Sequence, residues 1–278
     1  TSGLRTLTLN NIKPRVLCWI PSLANKLNTT VKAVNDTWVP RCDKHIFFIN
    51  TDRNSSDDVV PLSVKDGRDN LAKKTMAAMS YLYHHHGRDY DWFLKGDDDA
   101  YIVMENLKFL LSHYDPATPV YLGHPYKWIV KGGYMSGGAS YVISREALKL
   151  LVEQGIQKNK CRQSGSEDVA LGSCLHAIGI PSYNSLDRYG RETFHPLQPK
   201  IHIVGPIPLN QLPQDRFKMV AGRECCSELT ISFHHVPPDQ MRIFDHLLYR
   251  TTVYGRLLPA SEFQDFIKPG TVAPPSTE

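Results

Sequence analysis

Three adjacent carboxylates, Asp97-Asp98-Asp99, come two residues after the run Trp92-Phe93-Leu94. Carboxylates packed this closely repel one another, so they persist where water screens them or a cation offsets the repulsion. A solvated acidic turn would satisfy the first condition. The setting favours the second, because ligands of open α/β sheets gather outside the carboxyl ends of the strands. Carboxylate oxygens also suit Mg²⁺ or Mn²⁺, ions that bridge two phosphates of a nucleotide. The sequence holds no GxxxxGK[ST] loop, and no GxGxxG follows its first strand, which argues against P-loop nucleotidases and nicotinamide dehydrogenases. A metal-bridged nucleotide held without a glycine-rich cradle remains.

The elements that must position this turn are legible in the hydrophobic spacing. Arg15 to Ile20, closed by Pro21, and His45 to Ile49 read as buried strands, with Val59 to Leu62 a short third. Asn70 to His86 is the clearest helix: Leu71, Ala78, Met79 and Leu82 share a face, and Gly87 is a natural stop. His84-His85-His86 resembles a metal cluster, but consecutive helical residues fan around the axis, so it reads as a solvated helix end. Further strands are expected at 91–95, 120–122, 139–143 and 231–233, and further helices at 29–38, 105–113, 145–154, 167–178 and 239–248. This alternation predicts an α/β fold on a mostly parallel sheet. Residues 1–14 form an arm, 15–258 a single domain and 259–278 a proline-rich tail.

Composition narrows the class. The 278 residues are 41% apolar and 22% charged, with a formal charge of +4. That is an ordinary globular balance, too mildly basic for a nucleic-acid protein. No apolar run reaches the roughly 18–20 residues that cross a bilayer, so any targeting segment is expected to lie outside this sequence. Sequons at Asn28, Asn35 and Asn54 and an even count of six cysteines point to a disulfide-bonded secretory-pathway protein. Cys18 lies on a strand and Cys42 just before the next, so the two are expected to meet across neighbouring elements. Cys161, Cys174, Cys225 and Cys226 then make two bridges, with the adjacent pair bonding outward because a ring between neighbours is strained.

Other residues could serve the same chemistry. Lys74 and Arg68 are candidates for the nucleotide, or solvated surface cations. Gly137-Gly138 allows a close backbone approach to a donor, or marks a bulge. Trp128 and Tyr134 offer faces for a sugar, or pack in the core. Glu167-Asp168 opens a helix, where carboxylates often only cap the positive end of the dipole. A phosphoryl-transfer enzyme would want a second carboxylate cluster for two metals, and none is found.

Aspartates in a D-x-D pattern at a strand end bind metal-bridged nucleotides in nucleotide-sugar transferases. Four blocks in order, Gly67-Arg68-Asp69-Asn70-Leu71-x-x-Lys74-Thr75, Asp91-Trp92-Phe93-Leu94-Lys95-x-Asp97-Asp98-Asp99, Tyr134-Met135-Ser136-Gly137-Gly138-Ala139 and Glu167-Asp168-Val169-Ala170-Leu171-Gly172, resemble the β1,3-glycosyltransferase family that includes the Fringe enzymes. Glu192-Thr193-Phe194-His195-Pro196, Cys225-Cys226-Ser227 and Ser232-Phe233-His234 make the core 1 β1,3-galactosyltransferase branch the most similar. The likeness covers roughly residues 15–255.

The resemblance implies a GT-A glycosyltransferase fold with a Rossmann-like sheet. It implies Mn²⁺, a UDP-galactose donor, inversion at C1, and the 3-hydroxyl of GalNAc α-linked to Ser or Thr of a glycoprotein as acceptor. It also implies a Golgi membrane enzyme with a luminal catalytic domain, anchored through a preceding segment; a homodimer is compatible with it. Asp99 maps to the metal-binding aspartate, with Asp97 and Asp98 holding ribose or supporting the metal. His234 rather than His235 maps to a second ligand, since alternation along a strand lets only one of the two face the metal. Asp168 maps to the catalytic base, with Glu167 as its rival one position away. A β1,3-transferase with another donor or acceptor, such as an N-acetylglucosaminyltransferase, and a non-catalytic chaperone-like relative stay open.

Overall fold

Period-two burial in the central strands explains how the chain layers. In β1 (Val16–Pro21), Val16, Cys18 and Ile20 belong to one apolar cluster, Leu17 and Trp19 to another. A strand whose two faces are both apolar must be covered on both sides. The computed structural model describes residues 13–51, 58–127, 129–211 and 215–251. It places β1 near the centre of a six-stranded sheet in the order β3-β2-β1-β4-β9-β6, with β2 (Lys44–Phe48), β3 (Val59–Val60), β4 (Trp92–Lys95), β6 (Tyr121–Gly123) and β9 (Tyr141–Ser144). All neighbours are parallel except at β9, which runs antiparallel to both β4 and β6. The expected mostly parallel α/β sheet is therefore observed, in the layered arrangement of a GT-A fold.

One face carries the cluster containing residues of α1 (Thr30–Asp36), α3 (Met104–Leu111) and α7 (Pro238–Tyr249). The other carries that of α2 (Leu71–His86), α4 (Arg145–Leu150) and α5 (Glu167–Ala177). In α2, Ala78, Met79 and Leu82 are buried as expected, but Leu71 is 40% exposed. It is the helix's first residue, beyond the packed part of the face. The helix expected at 145–154 divides: after Leu150 it widens into a π turn, Leu151–Ile156. A Cβ on Gly155 there would lie 2.8 and 2.9 Å from the sulfurs of Cys174 and Cys161.

Two small sheets sit at the carboxyl end of β4. One joins β5 (Tyr101–Ile102), β10 (Phe194–His195) and β11 (Ser232–Phe233) in the order β10-β11-β5; β7 (Pro125–Tyr126) and β8 (Tyr134–Met135) form the other. A short helix, α6 (Pro199–Ile203), follows β10. These two-residue strands lack a run long enough to show periodicity, and of them only β11 was expected.

Cys18–Cys42 is bonded as expected. The remaining pairing is not: Cys161, in the loop after the π turn, bonds Cys174 of α5, and Cys225 bonds its neighbour Cys226. With the other four cysteines joined to one another, the adjacent pair has only itself. Residues 1–12 of the 1–14 arm and the 259–278 tail lie outside the described residues, as do Trp128 and Asn54. Asn28 and Asn35 are exposed.

Candidate active site

The acidic turn is held by its backbone. Gly96 N–H donates to Trp19 O (3.1 Å), and Trp38 Nε1–H donates to Ala100 O (2.9 Å). Directly after the turn, β5 pairs antiparallel with β11, Tyr101 opposite Phe233. That register carries the residues after β11 back along Asp99, whose carbonyl accepts from Val236 N–H (2.8 Å). His234 Nε2 lies 3.2 Å from Asp99 Oδ1 and 3.7 Å from Asp97 Oδ2. Its Nδ1 lies 3.2 Å from Pro196 O. A carbonyl only accepts, so Nδ1 donates to it, and Nε2 is the nitrogen turned toward the carboxylates.

His235 corrects the alternation argument. Its Nδ1 lies 3.2 Å from Asp99 Oδ2, and its ring stacks on that of His234 with centroids 3.6 Å apart. The strand ends at Phe233 and His235 takes φ 53°, so strand alternation no longer applies there. Asp99, His234 and His235 together offer one carboxylate oxygen and two imidazole nitrogens within 4.8 Å of one another. Burial pushes the Asp99 carboxyl up, but hydrogen bonds and charge from His234 and His235 hold it well below the usual range. Oxygen and imidazole donors suit Mn²⁺ as well as other borderline divalent ions.

Asp98 faces the opposite way. It is buried, accepts from Ser22 Oγ–H, and pairs with Lys26 Nζ at 2.9 Å. Lys74 is buried too, donating to Ser22 O (3.1 Å) and Asp66 Oδ1 (2.7 Å). Both residues thus converge on Ser22, just beyond the end of β1. Arg68 is exposed on a 3-10 turn ahead of α2.

Glu167 and Asp168 open α5, yet neither is a solvated cap. Glu167 accepts from Tyr141 Oη–H (2.9 Å) and lies 3.3 Å from Lys95 Nζ. Burial first, then the charges of Asp168 and Asp97, outweigh Lys95 and push its carboxyl up to about 7. Asp168 is half-buried and oriented by two backbone donors, Gly137 N–H to Oδ2 (3.1 Å) and Val169 N–H to Oδ1 (2.8 Å). Tyr134 is 4% exposed and packs with Tyr126 and Val130. It is thereby a core residue, although Asp168 is close enough to contribute to the rise of its phenol to about 12, after burial itself.

Gly137 and Gly138 stand between these groups. A Cβ on Gly137 would collide with Glu167 Oε1, and one on Gly138 with the His234 ring. The space on the Cβ side of each glycine is filled by protein side chains. The glycines let α5 and the end of β11 approach the same two residues.

A Fringe-like family model matches residues 25–245. The chain belongs to the Fringe-like glycosyltransferase family. A glycoprotein-N-acetylgalactosamine 3-beta-galactosyltransferase 1 of Xenopus laevis is 37% identical over 249 residues, 87% of this chain and 68% of that protein. A mouse beta-1,3-glucosyltransferase is 26% identical over 210 residues, 70% of this chain and 42% of its relative. Among solved structures, the galactosyltransferase LgtC with donor and acceptor sugar analogues aligns with TM-score 0.42 and 10% identity, covering 86% of this chain and 98% of that one. That likeness is too loose for residue comparison.

This Fringe-like glycosyltransferase also uses a residue to which sequence reasoning gave no role. Lys95 is 3% exposed, and its Nζ contacts Asp97 Oδ1 (2.5 Å), Gly137 O (3.0 Å) and Glu167 Oε1 (3.3 Å). Burial alone would lower its pKa, but Asp97 and Glu167 raise it well above the ordinary value. The signal was present in the sequence: period two along β4 places Lys95 on the same face as Phe93, and that face meets α5.

Proposed function

We propose that this chain transfers galactose from UDP-galactose, with inversion, to the 3-hydroxyl of GalNAc α-linked to Ser or Thr. The observation that carries the reading is the convergence on Gly137-Gly138 of a carboxylate at a helix start and a carboxylate-imidazole set at a strand end. The first suits a proton acceptor and the second a divalent ion. Asp99 and His234, with Asp97 or His235 beside them, would hold Mn²⁺; Asp98 and Lys74 secure the end of β1 from which the nucleotide is approached. When bound, the ion neutralises charge developing on the departing diphosphate.

Asp168 accepts the proton of the acceptor hydroxyl as its oxygen bonds to the sugar C1. The bond from C1 to the phosphate oxygen breaks, and UDP leaves with the electron pair. Lys95 keeps Asp97 and the start of α5 in fixed relation. Donor and acceptor identity draw support from the Xenopus relative. Three disulfides suit an oxidising compartment, in keeping with a Golgi luminal setting and a membrane anchor elsewhere in the protein.

The test is a screen of UDP-galactose, UDP-glucose and UDP-GlcNAc with GalNAc-bearing peptides, with Mn²⁺ and with chelator. Galactosylated peptide should form only with UDP-galactose and Mn²⁺, and Asp99→Ala should weaken UDP binding. Transfer in chelator would overturn the metal assignment; transfer of glucose alone would replace the donor.

A further inference from the structure

A second group of titratable side chains lies behind the acidic turn, on β10, its approach and α6. Glu192, His195 and His202 are 7%, 0% and 0% exposed. Glu192 Oε2, His195 Nδ1 and His202 Nδ1 are buried without a hydrogen-bond partner. His195 Nδ1 lies 3.7 Å and His202 Nδ1 4.0 Å from Glu192 Oε2, and the three residues offer ligand atoms within 4.8 Å of one another.

Proton bookkeeping sharpens the point. Thr230 Oγ1 gives its proton to Ser227 O (2.7 Å), so it accepts from His195 Nε2–H at 3.3 Å. His195 Nδ1 is then a bare lone pair facing a carboxylate oxygen. Nearby His124 has Asp215 Oδ1 at 2.5 Å from Nε2, and Phe194 O at 3.2 Å from Nδ1. Both nitrogens face acceptors, so the ring is an imidazolium between the buried carboxylates of Asp215 and Glu192. Glu192 is thus buried with Oε2 unpartnered next to the bare Nδ1 of His195, while His202, whose Nε2 accepts from Leu197 N–H, turns Nδ1–H toward it.

We propose that Glu192, His195 and His202 form a buried zinc site, separate from the metal site of the acidic turn. Zinc takes imidazole nitrogen and carboxylate oxygen at about 2.0–2.2 Å in tetrahedral sites, which sets ligand atoms roughly 3.4 Å apart. The two carboxylate–imidazole spacings, 3.7 and 4.0 Å, are somewhat wider than that, so the side chains must draw in for an ion to be held. The hydrogen bond from His195 Nε2 to Thr230 is the outer contact that metal-bound imidazoles keep. Leu197 N–H, 3.3 Å from His202 Nε2, is a long contact given up when that nitrogen takes the proton. The site is structural, and it serves the catalytic one. His195 stacks on Phe233 with centroids 4.4 Å apart, and the next carbonyl, of Pro196, fixes the His234 ring.

The test is metal analysis of the intact protein made in zinc-supplemented medium and gel-filtered into zinc-free buffer containing Mn²⁺. About one zinc per chain should remain. Asp99→Asn should keep it, whereas His195→Gln and His202→Gln should each lose most of it. Cobalt offered to the refolding wild-type chain should give the visible bands of a tetrahedral site. Wild-type protein with less than about a tenth of an equivalent of zinc and no cobalt bands would sink the proposal, leaving a buried water or a protonated Glu192. So would zinc retained by both histidine variants. Because the wild-type measurement decides by itself, misfolding of a variant does not obscure the answer, and neither result depends on the donor or acceptor.

Discussion

Asp168 and Glu167 are adjacent in sequence and differ in what surrounds them. Asp168 is half-buried on two backbone N–H groups, while Glu167 is enclosed by Lys95, Tyr141 and Thr75. If Asp168 is the base, Asp168→Asn keeps shape and removes basicity, so transfer should fall by at least ~10² with UDP-galactose binding little changed. Glu167→Gln keeps an acceptor for Tyr141 but loses the ion pair with Lys95, and should cost less in turnover. Loss of turnover in Glu167→Gln with an active Asp168→Asn would move the base by one residue. Glu167 also predicts a pH dependence. Its folded pKa of about 7 exceeds the ordinary 4.5, so between those values the folded chain binds more protons than the unfolded one. Stability then falls as pH rises through that window. Melting of metal-free wild type should drop more steeply from about pH 5 to about pH 8 than melting of Glu167→Gln. Parallel curves would show that Glu167 does not titrate there.

At the scale of elements, the long apolar strands and amphipathic helices were legible because burial writes its period into six or more residues. β1 and α2 are of that kind. The two-residue strands β5, β7, β8 and β10 carry no period, and their pairing depends on partners far along the chain. The acidic turn, His234 and the start of α5 were found as motifs, yet what Gly137 and Gly138 do was visible only once α5 and β11 had been placed. Gly138→Ala should therefore act at a distance from its own chemistry. The added methyl must displace the His234 ring, and Mn²⁺ affinity should weaken by about 10–100-fold, the range for disturbing a ligand's support. Unchanged affinity by calorimetry would mean that the ring yields without cost. Lys95 was missed for the opposite reason: a lysine at the end of an apolar strand reads as the strand meeting solvent, and the carboxylates that retain it lie 2 and 72 residues away.

The whole molecule joins two apolar layers through one sheet, and places its chemistry where the third layer, the small β10-β11-β5 sheet, meets them. Cys18–Cys42 ties β1 to the turn before β2, as expected, whereas the Cys225–Cys226 pairing followed from which cysteines were already joined. No reading of spacing alone could have selected it. β11 is the last strand among the described residues, yet it pairs with β5 far earlier in the chain, Ser232 opposite Ile102 and Phe233 opposite Tyr101. During synthesis the ribosome thus delivers the acidic turn, both glycines and the α5 carboxylates well before His234. A nascent chain that has passed β9 holds the strands of the large sheet without His234, so if His234 is a metal ligand the metal set stays incomplete until β11 has been made and docked. Refolding should reproduce this order: helical circular dichroism should recover before Mn²⁺ binding, since long-range pairing forms slowly. Simultaneous recovery of the two signals would mean that β11 docks with the rest.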